Sequence, residues 1–165
     1  MQHNKLKTDK MKTSIKSVIV IIAIVMSSTF AIGQNKKANN IDDSKIALQG
    51  YSAVSYLDLG LAQRGSKQFK TVHNKIAYYF TSADQKAKFD KNPNKYLPQY
   101  GGFCAFGAYV GAKFRVDPNK FVVSNGKYYL FLNDVEVDAK QLWIGEKESK
   151  LISTANKNWK SLKTK

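Results

Sequence analysis

A chain of 165 residues suits one domain and leaves no length for a second independent core. Its net charge of +15 is carried almost wholly by lysine, with Arg64 and Arg115 the only arginines. The bidentate arginine forks of a base reader are therefore scarce, and nucleic acid is set aside as a partner. A single cysteine, Cys104, excludes an intramolecular disulfide, so stability must come from an ordinary core that nine tyrosines and nine phenylalanines can build.

The first segment reads as an export signal. Lys5, Lys7, Lys10, Lys12 and Lys16 precede an unbroken apolar run from Val18 to Met26, and Ala31-Ile32-Gly33 offers small residues for cleavage. The run is far shorter than the ~20 residues a membrane span needs. A signal peptide is expected over residues 1–33, with Met11 an equally serviceable start, and a periplasmic or extracellular location follows. Residues 34–44 are polar without apolar period and are expected to form a flexible leader to a domain over 45–162. The lysine surface suggests a weak attraction to anionic envelope surfaces.

Within the domain, Gly50 to Leu57 is expected to be a turn followed by a short helical or irregular piece, and Leu61 to Ser66 a glycine-punctuated loop. Phe69–Val72 and Ile76–Phe80 predict two strands about the turn His73-Asn74-Lys75. Ser82 and Gln85 have capping-box spacing, and the helix they open should end by Lys91, because Asn92 precedes Pro93; Phe89 is its core anchor. Phe103, Phe106 and Val110 recur at helical spacing between Gly102 and Gly111, which places Cys104 in a first helical turn. Asn125-Gly126 between Phe121–Val123 and Tyr128–Leu132 is the strongest hairpin signal, and the second of these strands is apolar on both faces. Helices are expected over Val137–Trp143 and Lys147–Leu162, the latter with Leu151, Ala155, Trp159 and Leu162 on one stripe. No internal repeat is visible. The fold class is α+β: a small antiparallel sheet from two β-hairpins, short helices around it and a helical C-terminus.

Several of these segments share an order with one known family. Gly50-Tyr51-Ser52-Ala53-Val54-Ser55-Tyr56 is followed by Tyr78-Tyr79-Phe80-Thr81-Ser82, by Phe89 with Asn92-Pro93, and by Tyr100-Gly101-Gly102-Phe103-Cys104-Ala105. Asp117-Pro118, Gly126-Lys127-Tyr128-Tyr129-Leu130, Trp143 and Ala155 to Trp159 complete the series. In that order the chain resembles the YHS-domain family in a small exported form. Better-known members resemble metal-handling modules, with cysteines near the opening and just after the Tyr-Tyr-Phe strand. Here Ser52 to Ser55 hold the opening, and Thr81 and Gln85 stand where the paired cysteines would fall. The resemblance therefore implies the fold and not that metal site.

The candidate chemistry is then narrow. A closed zinc site wants four Cys or His ligands, whereas after the leader only Cys104 and His73 remain. Cys104, beside Tyr100, Gly101 and Gly102, reads either as a small buried hydrophobe or as a thiol of lowered pKa at a helix start. In the second case it contacts copper or another soft metal, or haem. His73 reads as a turn residue or as a base for that thiol. Two functions stay open: an exported, non-catalytic binding or accessory module for a small ligand or metal, and a thiol-dependent enzyme or redox factor using Cys104 with His73.

Overall fold

Two β-hairpins, each preceded by a left-handed turn and a short helix, set the architecture. The structure, a computed structural model, describes residues 37–132, 134 and 137–165; the expected signal peptide lies outside the described residues. The first hairpin joins β1 (Ser66–His73) to β2 (Ile76–Phe80), and the second joins β3 (Asp117–Ser124) to β4 (Lys127–Phe131). The two do not pair with each other: each is a separate antiparallel two-stranded sheet. Helices are α1 (Ala53–Leu59), α2 (Ala83–Lys91), α3 (Pro93–Tyr96), α4 (Ala105–Val110), α5 (Ala139–Ile144) and α6 (Glu148–Leu162), so the α+β class holds. None of these helices is long and apolar enough to cross a membrane.

Local sequence explains most of the boundaries. The Ser82 hydroxyl accepts the Gln85 amide at 3.2 Å and starts α2. Asn92, released from helical geometry by Pro93, ends α2 and then caps α3 by accepting from the Lys95 amide. Asp138 takes the amides of Lys140 and Gln141 at the head of α5. Asn74-Lys75 and Asn125-Gly126 supply the paired positive φ angles that tight hairpins need.

The structure also contains a repeat that the sequence conceals. In the first hairpin Ser66 pairs with Phe80 and, after an irregularity, Lys70 pairs with Tyr79. In the second, Asp117 pairs with Phe131 and, after the same irregularity, Phe121 pairs with Leu130. Every partner lies 51 positions after its counterpart, as 117 follows 66 and 131 follows 80. Upstream, Leu48, Gln49 and Gly50 have φ of 54°, 52° and 87°, while Tyr100, Gly101 and Gly102 have 51°, 58° and 80°. Each turn delivers the chain to a side-chain N-cap, Ser52 for α1 and Cys104 for α4, and each of those helices ends on a left-handed glycine, Gly60 or Gly111. Downstream, Phe89 of α2 packs on Tyr78 and Phe80, and Trp143 of α5 packs on the corresponding Tyr129 and Phe131. The molecule is a turn–helix–hairpin–helix unit used twice.

The two copies share one core. Tyr56 of the first stacks on Tyr128 of the second with ring centroids 4.8 Å apart and meets Phe121 edge-on at 4.9 Å. The Tyr56 hydroxyl donates to the Pro118 carbonyl at 2.8 Å, and Tyr128 donates to the Tyr96 carbonyl at 2.9 Å. Helix α6 buries Leu151, Ala155 and Leu162, and Asn158 donates to the carbonyls of Ala108 and Tyr109 at the end of α4. Residues 37–44, polar in composition, run across the second left-handed turn as a strap. The Asn40 amide donates to the Gly101 carbonyl at 2.8 Å, its side chain donates to Gly102 at 3.0 Å, and Ile41 packs against the core. Polar composition signals poor burial, but backbone hydrogen bonding can dock such a segment without apolar area.

Candidate functional site

The residues singled out from sequence fall in three places. Cys104 is 1 % exposed. It lies one position before α4, and its sulfur accepts the Gly107 amide at 3.4 Å, so the thiol acts as a helix cap. Its own amide donates to the Phe114 carbonyl at 3.1 Å and its backbone bridges to Leu130 of β4. His73 ends β1 at the other hairpin's turn, with its ring 6.0 Å from Phe89 and edge-on to it. The fold thus seats His73 at the turn of the first hairpin and Cys104 at the head of α4, against the second. Tyr100, Gly101 and Gly102 form the second left-handed turn. Burial pushes the Tyr100 hydroxyl above its ordinary pKa, with a smaller push from Tyr129, and it sits 3.2 Å from Asn156. The crevice bordered by Gly101 holds about 10 Å³, roughly what one water requires. Trp159 closes over Tyr100 and Phe103.

The positions where the YHS resemblance would put soft ligands do come together, with different chemistry. Ser52 donates to Gln85 Oε1 at 2.6 Å, the Thr81 amide donates to the same oxygen at 3.3 Å, and Gln85 Nε2 donates to the Ser55 hydroxyl at 3.0 Å. Ser55 also donates to Gln63 at 2.8 Å. Ser52 and Ser55 are fully buried. The cluster is a satisfied hydrogen-bond network that locks α2 onto α1, built from hard oxygen and amide groups that suit copper poorly. Among the described residues no group of three or more His, Cys, Asp or Glu is placed to hold a metal ion.

Room for a ligand lies elsewhere. An open cleft of about 450 Å³ runs between the strap, the first left-handed turn and the entry to the first hairpin, within the range of small-molecule sites. It is lined by Gln49, Gly50 and Tyr79, by Arg64, Lys67 and Arg115, and by Asp42 and Ser44 of the strap. Gln49 is held there by donating to the Val116 carbonyl at 2.8 Å, and the Arg64 guanidinium lies 5.8 Å from the Tyr51 ring centroid. The Asp42 carboxyl is held below its usual range by hydrogen bonds from the Ser44 hydroxyl and amide, with a smaller contribution from Arg115. Sequence reading passed over these residues. The one signal was that both arginines of a lysine-rich chain precede a hairpin at matching positions. Comparison of the chain with protein-family models, with curated proteins and with solved structures finds no match.

Proposed function

We propose that the chain is an exported, non-catalytic binding module of YHS-like build whose ligand enters the cleft beside the first left-handed turn. The observation that carries this reading is the 450 Å³ volume lined by polar and charged side chains. The leader residues Lys5 to Gly33 support export, and the ordered series from Gly50 to Trp159 supports the kinship. The alternative, a thiol-dependent factor, needs Cys104 to be reachable, whereas its sulfur is engaged as a cap and covered.

A thermal-shift screen of the full chain against small metabolites and copper salts tests the choice. It is run in parallel on Ser44→Trp, which fills the cleft, and on Cys104→Ala. Stabilisation that Ser44→Trp removes and Cys104→Ala preserves is the expected result. Stabilisation lost only with Cys104→Ala would move the site to the thiol.

A further inference from the structure

We infer that the cleft is an oxyanion site, taking a small molecule through a phosphoryl or carboxylate group held between Arg64, Lys67 and Arg115. The inference rests on the reading of the cleft as the ligand site and adds the ligand's chemistry.

Three observations converge on it. First, the chain uses arginine twice among its 27 basic residues, and both guanidinium groups border this one volume. Arginine presents a planar fork of donors that fits two oxygens of one anion, which a lysine ammonium cannot do. Second, the repeat explains how they meet. Arg64 and Arg115 are equivalent positions, each two residues before its hairpin strand, so the fold brings the paired sites of its two copies to a single rim. Third, the charge is unbalanced: three cations face one carboxylate, Asp42. The Tyr51 ring lies against Arg64 and leaves the guanidinium edge available for hydrogen bonds. Tyr79 adds an aromatic wall for the uncharged remainder of the ligand. At the second copy the strap lies against Gly101 and Gly102, the positions that correspond to Gln49 and Gly50.

Because the chain holds two arginines, a wild-type experiment reads the site directly. Full-length protein labelled with nitrogen-15 arginine is titrated with inorganic pyrophosphate in one arm and citrate in another, at low ionic strength. Both side-chain Nε–H resonances should shift together and saturate at one equivalent, and the arm that binds tells phosphoryl from carboxylate. Calorimetry should show that Arg64→Gln and Arg115→Gln each weaken binding by about tenfold. Lys127→Gln, at the far hairpin turn, should leave affinity unchanged, and Asp42→Asn should tighten it severalfold. Unmoved arginine resonances in both arms, or an equal loss in Lys127→Gln, would overturn the inference. If neutral ligands blocked by Ser44→Trp then emerge from the screen, the cleft stands as a binding site and only its charge preference falls.

Discussion

At Gly101 a hydrogen atom is all the fold can accommodate. A β-carbon there would lie 1.8 Å from the Ala38 carbonyl oxygen, and both colliding groups are backbone. The residue also sits at φ 58°, where an L side chain is strained. Gly101→Ala should cost about 2–4 kcal/mol, the range of severe backbone clashes. It should also lift the strap, which urea unfolding and protease cleavage within residues 37–41 would report. Cys104 makes a different residue-scale case. Ser52 performs the same capping role in the first copy, so Cys104→Ser should keep the cap and Cys104→Val should lose it, at a further cost of about 1 kcal/mol. The native thiol should resist iodoacetamide until urea is added, and rapid native-state alkylation would return the thiol reading to favour. Trp143 is 1 % exposed, and its Nε1–H finds no acceptor among the described residues. Its ring is kept for area against Tyr129 and Phe131, so Trp143→Phe should cost much less than the ~3–5 kcal/mol of Trp143→Ala.

At the scale of elements, the left-handed turns and the helices they feed form one device. Three successive positive φ angles reverse the chain so that the second residue after them can cap a helix, and the strain at Leu48 is offset by its burial in the core. In the first copy the cap is extended into the Ser52–Ser55–Gln85 network that fastens α2 to α1. Gln85→Ala would leave the buried Ser52 hydroxyl without its acceptor and remove a donor from Ser55, so a loss of about 1–3 kcal/mol in chemical denaturation is expected. Gln85→Leu should recover little of it, since the Ser52 hydroxyl still lacks an acceptor. A double-mutant cycle between Ser52→Ala and Gln85→Ala should show strong coupling, because the two share one 2.6 Å bond.

For the molecule as a whole, the buried tyrosines set the alkaline limit of stability. Burial pushes Tyr78 up to about 12 from its ordinary 10, and raises Tyr56 and Tyr128 as well, chiefly through burial with lesser repulsion from neighbouring groups. Below the unfolded value near 10, both states hold the phenolic proton and stability is complete. Above it the unfolded chain ionises first, so stability falls as pH rises through about 10 to 12. An unfolding series across that window should show a progressive loss that Tyr78→Phe reduces. The rings join the two copies, so the loss should be cooperative across the whole domain, with one transition by both fluorescence and circular dichroism.

The hairpins were legible in the chain because their causes are local: Asn125-Gly126 bends the backbone and flanking β-branched and aromatic residues extend it. The same is true of α2, where Ser82, Gln85 and Pro93 mark both ends within twelve residues, and of the buried stripe on α6. The α+β class follows from those elements alone. The repeat, the strap and the cleft were not legible, because each depends on residues far apart in sequence. The surviving traces of duplication are short and scattered, such as Gly50-Tyr51-Ser52-Ala53 against Gly102-Phe103-Cys104-Ala105 and Arg64 against Arg115, since packing tolerates exchange of one ring for another while register is held by backbone hydrogen bonds. Local spacing drew attention to Cys104 through its glycines and its uniqueness. Tertiary structure gave that sulfur a cap to make, and brought Arg64 and Arg115 from two copies to one rim, because only the packing of the halves determines which side chains face open space.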